Sequence, residues 1–588
     1  MMDALDRAIA NTQSHLNALR NERGHWEGRL SSSALSTATA IVALTLVEPE
    51  QHAAHIADGA RWLSDNQNAD GGWGDTTLSK SNLSTTLLCW SALHLVGRKD
   101  SLAVKKADAC IIKQVGSLEP ATIGRAVTAR YGKDKTFSVP ILMLCALCGT
   151  LGERPWKHVI ALPFELAALP RTWFGAIGLP VVSYALPALI AIGYTRFKNA
   201  PPAWWNPLRW LRALTWPRIR PMLKALQPSS GGYLEATPLT SFVTMALAGG
   251  GQLDHPCLSL AVDFLVKSKR EDGSWPIDTN LATWGTTLSV RSSGFSPSDQ
   301  NGPKPELRAW LLAQQYRDVH PFTNAPPGGW AWTDLPGGVP DADDSSSALI
   351  ALKKMGHGCD KVIEQGVTWL LDLQNRDGGI PTFCRGWGTL PFDRSTPEIT
   401  AHALGAWWSW REELPPEMQR RIDQGTQKAL AYLKRVQLAD GAWIPLWFGN
   451  EHTPDENNPV YGTAQVVNHL GGVKVPGTVE LMESGRQYLR HAQKADGSFG
   501  GDAHAPASIE ETAVALHALS SGDGPARENL PSGMSWLITA TENGTRFPCS
   551  PIGLYFARLW YHEQLYPVVW TLAALHSLKS ALPQSQTS

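Results

Sequence analysis

Residues Pro340 to Gly356 read PDADDSSSALIALKKMG, and they set Asp341, Asp343 and Asp344 within four positions, directly before an apolar run with helical spacing. One or two acidic residues there would be ordinary helix-start chemistry, favoured by the macrodipole, with Lys353, Lys354 and Gly356 finishing the other end. Three exceed what capping needs. Carboxylates in mutual contact cannot all ionise, so the cluster is expected to keep one proton at neutral pH. A cationic histidine on the same carboxyl would stabilise the conjugate base and make that proton easier to deliver. Such an acid could protonate an alkene, one of the weakest bases in metabolism, and the product would be a carbocation.

A carbocation needs walls that neither trap it nor react with it, and aromatic faces offer negative potential without a nucleophilic lone pair. The chain holds 25 Trp among 588 residues, far above ordinary usage. Candidate walls are Trp330 and Trp332 in GGWAWTD, Trp284 in LATWGTTLSV, Trp387 in CRGWGTLPFD and Trp447 in IPLWFGN, although core packing accounts for any one of them alone.

The elements that must position these groups come from a repeat. An apolar-periodic helix with an aromatic-Leu pair, then a polar stretch, Asp-Gly and an aromatic or apolar residue recurs at 60–74, 262–275, 367–380, 430–443 and 486–499. A stretched copy spans 308–332, and degenerate ones begin at Leu5 and Trp536. A second helix, opening on Ser or Thr, accompanies most copies, for example TTLLCWSALHLVG at 85–97 and TAVALHALSSG at 512–522. Units of this kind stack as a solenoid or close into an α/α toroid. The expected fold is all-α, with two α-barrels: a less regular one over 21–280 and a regular one over 281–588 that carries the Asp cluster, with residues 1–20 packing on the second. In most copies a Gln precedes the Asp-Gly; its amide is expected to accept N–H groups at the start of the next helix while stacking on the indole.

Between Glu165 and Glu235 no acidic residue occurs, whereas Arg171, Arg196, Lys198, Arg209, Arg212, Arg218, Arg220 and Lys224 all do. Residues 172–194 are uncharged but broken by Pro180 and Pro187, and the next segment interleaves Trp204, Trp205, Trp210 and Trp216 with Arg. This pattern suits a helix lying in the headgroup plane, so the insertion at about 165–235 is expected to dock the protein on a membrane surface without crossing it.

The remaining composition narrows the class. Lys plus Arg number 52 against 53 Asp plus Glu, a net charge of -1, which argues against a nucleic-acid partner. The eight Cys form no disulfide framework, and Cys145-x-x-Cys148 lies in an apolar helical pattern without a second ligand pair. The N-terminus shows no apolar signal region.

Taken together, Asp341-Ala342-Asp343-Asp344 and the Gln to Asp-Gly-Trp copies resemble the D-x-D-D motif and QW repeats of the squalene-hopene and oxidosqualene cyclases, the class II triterpene cyclases. The similarity extends over nearly the whole chain. It implies two α-barrels, monotopic attachment at the cytoplasmic face of a membrane, no metal and no cofactor, a squalene-like lipid substrate, and an assembly that can be a homodimer. It further implies Asp343 as proton donor, Asp341 and Asp344 as supporting carboxylates and His402 as the histidine on the acid. Tyr461 would help return a proton through water, and Asp393 would be a supporting carboxylate farther out. Trp332, Trp284 and Trp447 would be cavity aromatics, and Tyr555 and Phe556 part of an aromatic terminal segment.

The chain also departs from that pattern. Thr39 and Leu88 stand where hopene-forming members carry water-polarising glutamates, and Glu235 stands near a position usually held by an amide. The expectation is a differently quenched cation, with Glu235 as water-orienting base. Other readings of the residues are an oxidosqualene, shorter or diphosphate-bearing polyprene as substrate, a glycoside hydrolase or a prenyltransferase β-subunit on the same toroid, and a repeat scaffold without catalysis.

Overall fold

The computed structural model describes residues 2–132, 135–176, 185–294, 305–321, 323–522, 530–554 and 558–582. It is predominantly helical. Helix α1 (Met2–Ala18) opens the chain. A first ring of inner helices follows: α2 (Ala34–Val47), α3 (Leu83–Leu95), α4 (Lys135–Leu147), α5 (Leu186–Asn199) and, after α6 (Pro207–Ala225) on the outside, α7 (Thr237–Gly249). Each of these inner helices packs on the next, and α7 returns to α2. A second ring runs α8 (Ala282–Ser292), α9 (Ala342–Lys354), α10 (Pro397–Trp410), α11 (Pro459–Leu470), α12 (Ile509–Ser520) and α13 (Tyr566–Ala581), and α13 closes it on α8. The helices between them form an outer layer, so both rings are α/α toroids.

Pattern separates the layers. Helix α2, ALSTATAIVALTLV, is apolar or small on every side and buried almost all round, as an inner stave must be. The outer helix Pro416–Val436 instead buries one stripe, Ile422, Gly425, Thr426, Ala429, Leu430 and Leu433. One hydrophobic core draws on residues between Ala34 and Trp275, and the other on Leu5 to Leu30 together with Trp284 to Leu582. Helix α1 lies in the outer layer of the second ring, against α13.

The repeat residues lock each outer helix to its turn. Indole N–H groups of Trp73, Trp275 and Trp443 donate to the carbonyls of Leu63, Leu265 and Leu433, ten residues back in the last turn of the preceding helix. Each Asp of the Asp-Gly pairs accepts a backbone N–H two residues on, as Asp377 does from Gly379 (3.0 Å). The intervening Gly378 sits at φ +92, where a Cβ would lie 2.3 Å from the Lys428 carbonyl. Where acceptance of N–H groups is expected above, the Gln amides are seen to donate. Gln374 Nε2 donates to the carbonyls of Gly378 and Gly425, both at 2.8 Å, and Gln437 does the same to Gly441 and Leu481. A copy that the sequence pattern missed ends on Gln227 and Tyr233, with Tyr where other copies have Trp: Gln227 donates to Gly231 and Cys257, and the Tyr233 hydroxyl to Leu223.

Short strands tie the ends together. Ser32–Ser33 pairs antiparallel with Trp275–Pro276, in register Ser33 to Trp275. Phe448–Gly449, Ile552–Leu554 and Leu559–Tyr561 form a three-stranded antiparallel sheet. Trp560 N donates to Asp75 Oδ2 (2.8 Å), and Arg130 pairs with Glu456 (3.4 Å), so the two rings are joined by polar contacts.

No helix among the described residues is long and apolar enough to cross a membrane. The second half of the apolar stretch at 172–194 belongs to inner helix α5, where Ile190, Ala191 and Ile192 are core, while residues 177–184 lie outside the described residues. Helix α6 presents Trp210 (60% exposed) and Leu214 (78%) to solvent beside Trp204 (69%) and Trp205 (72%). Trp216 instead stacks on Tyr194 at 3.6 Å inside the core. Part of the basic excess is internally satisfied as well. Arg212 pairs with buried Glu165 (2.9 Å), Arg220 with Asp254 (3.0 Å), and Arg196 donates to the carbonyl of Val159 (2.9 Å).

Candidate active site

Asp341 is the N-cap of α9: its backbone is extended and its Oδ1 accepts from Asp344 N (2.9 Å). The first turn then turns the next two carboxyls apart. Asp344 is buried and lies against Asp341, and burial together with that neighbour pushes it well above the usual carboxylate range. Burial lifts Asp341 to about 7. Asp343, whose side chain keeps 22% of its surface, faces a cavity inside the second ring. Its Oδ1 lies 2.5 Å from His402 Nδ1. Burial raises Asp343 to about 7, opposed by the positive charge of Arg291. The held proton on Asp343 thus owes its place to desolvation rather than to repulsion among the three carboxylates. The repulsion is felt instead by Asp341 and Asp344 behind the wall, each of which the Asp343 charge helps to raise.

The cavity is built by facing inner helices. From α8 come Trp284, Leu288 and Arg291; from α10, Glu398 and His402; from α11, Tyr461, Gln465, Asn468 and His469; from α12, Val514 and His517; from α13, Val569 and Trp570. On α8, α10, α11 and α12 these positions recur at steps of three and four, the spacing of one helix face. The Trp284 and His402 rings meet edge to face (6.3 Å, 67°), and Tyr461 packs between Phe448 (4.7 Å) and Trp570 (5.7 Å). Glu398 is anchored through Oε1 by Leu446 N (2.8 Å) and through Oε2 by the Thr396 hydroxyl; burial raises it to about 7. The lining therefore combines aromatic and polar side chains.

Asp343, His402, Tyr461 and Trp284 share this cavity, and Asp341 and Asp344 back it. Trp447 is half-buried at some remove, donating from Nε1 to Thr382 Oγ1 (2.6 Å), and its own N–H points at Glu398. Trp332 is half-buried in the layer before α9, its carbonyl accepting from Thr283 and Trp284 N.

Four expected site residues stand elsewhere among the described residues. Trp330 is fully buried as a repeat aromatic, donating to Leu311 O (2.9 Å). Trp387 is 58% exposed on the loop after Gly386. Asp393 organises that loop, accepting from Trp387 N and Leu390 N (both 2.8 Å). Glu235 is buried, but its Oε1 accepts from Ser230 Oγ (2.6 Å) and Gly337 N (2.8 Å), which fastens a turn whose Leu234 and Glu235 both have positive φ. Tyr555 and Phe556 lie outside the described residues.

Sequence reading overlooked Arg291, Glu398, His469 and His517. The signal was available: Arg291 follows Trp284 by seven residues and Leu288 by three, on the same helix face, and Glu398 precedes His402 by one turn. Arg291 Nη1 donates to His402 Nε2 (2.8 Å) and Ser347 Oγ (3.0 Å), and Nη2 to His469 Nδ1 (3.3 Å). His402 is consequently not the cation expected beside the acid. Burial and Arg291 hold it well below the usual imidazole range.

Such an arrangement can hold a carboxylic acid in its protonated form beside aromatic faces. Two family models match the chain: the squalene-hopene cyclase N-terminal domain over residues 9–185 and the C-terminal domain over residues 281–579. A terpene cyclase-glycosyl transferase fusion protein of Humicola fuscoatra is 24% identical, the alignment covering 94% of this chain and 47% of that protein, so the chain spans about half of its length. A probable squalene-hopene cyclase of Sinorhizobium fredii is 23% identical over 98% of this chain and 97% of its own. Among solved structures, ent-copalyl diphosphate synthase from Arabidopsis thaliana aligns with a TM-score of 0.47 at 14% identity, over 92% of this chain and 77% of that one. The two model matches together take in most of the residues, and the chain belongs to the squalene-hopene cyclase family.

Proposed function

We propose that this protein is a class II terpene cyclase that protonates a linear polyprene, squalene first among the candidates, and folds it through carbocations into a polycyclic triterpene. The observation that carries the reading is the Asp343 carboxyl, raised to about 7 and held by His402 Nδ1 at 2.5 Å, on the wall of a cavity shared with Trp284, Tyr461 and Trp570. Asp343 delivers the proton to the terminal alkene. Asp341 and Asp344 fix the helix start from which it projects. Trp284, Tyr461 and Trp570 present ring faces and edges to the developing cation. The relatives described above include a protein named as a squalene-hopene cyclase. An oxygenated or charged polyprene is the second reading, favoured by the polar side chains of Gln465, Asn468, His469 and His517 in the cavity lining.

The test is incubation of detergent-solubilised protein with squalene, oxidosqualene and geranylgeranyl diphosphate, with products identified by gas chromatography and mass detection. A cyclic C30 hydrocarbon or alcohol from squalene supports the first reading; turnover of either other substrate alone replaces it with the second; no product from any of them removes both.

We further propose monotopic docking at the cytoplasmic face of a membrane through Trp204, Trp205, Trp210 and Leu214, a cluster of exposed apolar side chains on and just before α6. The substrate would then enter from the lipid.

A further inference from the structure

Arg291 is a half-buried cation in the cavity lining whose charge acts on the acid, and its hydrogen bonds fix more than its own position. A guanidinium only donates. Its Nη1 meets His402 Nε2 at 2.8 Å, so that nitrogen must offer a lone pair, and the ring proton must be on Nδ1. Nδ1–H then donates to Asp343 Oδ1 at 2.5 Å, which leaves Oδ2 as the seat of the acid's own proton. An imidazolium would direct an Nε2–H against the guanidinium N–H. The second histidine repeats the logic: His469 Nδ1 accepts from Nη2 (3.3 Å), and its ring stacks on His402 at 4.0 Å and 17°, a contact two imidazoliums would not keep. Ser347 Oγ accepts from Nη1 (3.0 Å) and is itself fixed by Thr287 (2.8 Å). Lys354 Nζ donates to the Arg291 carbonyl (2.7 Å), pinning the end of α8.

We infer that Arg291 is a positioning residue for the acid, acting through His402: it locks the neutral Nδ1–H tautomer and, from one ring away, supplies the positive charge that stabilises the Asp343 carboxylate once the proton has left. The inference rests on the reading of Asp343 as proton donor. In the step itself the Asp343 Oδ2–H bond breaks, a C–H bond forms from the alkene π pair, and the carboxylate left behind faces the Arg291 charge. The proton is recovered when the final cation loses one, directly or from added water. Burial keeps the acid loaded and Arg291 keeps it strong, so the two oppose each other at one carboxyl. The other titratable or charged groups facing this pair are Asp341, Asp344 and Lys354 on α9, Glu398 on α10, Tyr461 and His469 on α11 and His517 on α12.

The experiment compares pH–rate profiles of the parent protein, Arg291→Gln, Arg291→Lys and Asp343→Asn on whichever polyprene the parent cyclises. Loss of the cation should lower kcat about tenfold with KM nearly unchanged, and should move the alkaline limb upward by about one pH unit. Arg291→Lys should recover most of the rate and return the limb toward its parent position. An alkaline limb that stays in place in Arg291→Gln overturns the inference. If that variant folds poorly, the histidine ¹⁵N resonances of the parent decide: a neutral Nδ1–H ring at His402 near pH 6 supports it, and an imidazolium there overturns it. Full activity in Asp343→Asn would remove the acid reading and this inference together. An inactive Asp343→Asn beside an unmoved Arg291→Gln limb removes this inference alone.

Discussion

Asp343 differs from its neighbours by direction, not by type. Asp341 is engaged as an N-cap and Asp344 lies against it, so only the middle carboxyl reaches the cavity. Asp343→Asn, which keeps the shape and loses the acidic proton, should lower turnover by about 10²- to 10⁴-fold while thermal unfolding stays close to the parent. Asp341→Asn retains a good cap, whereas Asp341→Ala should lower stability by about 1 kcal/mol, read in a denaturant titration. The pH dependence follows from the raised acid. Below about 7 Asp343 holds its proton and the rate should be flat; above it the loaded fraction, and with it kcat, should fall towards tenfold per pH unit. A rate that climbs through pH 8 would contradict Asp343 as the acid. The three Asp could be picked out from type and spacing, and His402 and Tyr461 through the family resemblance. Trp387 and Trp330 could not be sorted from Trp284, because an indole in a repeat turn, on a loop and on a cavity wall look alike in one dimension.

At the scale of the element, the repeat explains why the helices stop where they do. Gly378 illustrates it: the left-handed turn demands glycine, and the neighbouring outer helix closes over it. Gly378→Ala should therefore cost at least about 2 kcal/mol, since backbone strain and a clash with the Lys428 carbonyl act together. Gly388, also at positive φ but with open space around its Cα, is the control, and Gly388→Ala should cost only about 1 kcal/mol. Equal losses in thermal unfolding would show that the packing over Gly378 carries no weight. Helix and turn were legible because periodicity and Asp-Gly are local. The direction of the Gln hydrogen bonds was not, since an amide both donates and accepts, and the choice depends on which carbonyls the next helix brings near. The Gln227 copy escaped notice because Tyr233 replaces Trp and Ser230-Gly231 replaces Asp-Gly.

At the scale of the whole molecule, two consequences of burial can be measured. Asp341, Asp343, Glu398 and Glu451 are raised to about 7, and Glu510 and Glu563 to about 8, in each case chiefly by desolvation. The folded chain keeps protons that the unfolded chain releases above about pH 4, so this stabilisation is lost as pH rises through 7 to 8. Buried His320 and half-buried His517 and His562, lowered to about 4 by desolvation, act oppositely: their neutral native forms cost stability as pH falls below 6.5. The two trends oppose each other between pH 4 and 6.5; above that the histidine trend ends and the carboxyl trend continues, outnumbering the opposite effect of Lys354, which is lowered to about 8. The apparent Tm should decline between pH 6.5 and 8.5; a flat or rising Tm would refute it. The surface makes a separate prediction. Replacing Trp204, Trp205 and Trp210 together by Ser should abolish co-sedimentation with phospholipid vesicles and leave far-UV circular dichroism unchanged, and retained binding would remove the docking proposal.

By itself the sequence determined the helical repeat and the position of the acid, because each rests on local spacing: 3.6-residue periodicity, Asp-Gly turns and a carboxylate cluster at a helix start; closure into rings rather than an open solenoid is set by contacts between helices far apart in the chain. Tertiary structure decided which carboxyl faces the cavity, which tryptophans are walls, and which of the basic residues near α6 are already paired. It also decided where the charge beside the acid resides. Asp343, His402 and Arg291 lie on three different helices, and their hydrogen-bonded line exists only once the second ring closes. Burial, which raises Asp343, and the long-range contact with Arg291, which opposes it, are properties of that closure that no spacing along the chain encodes.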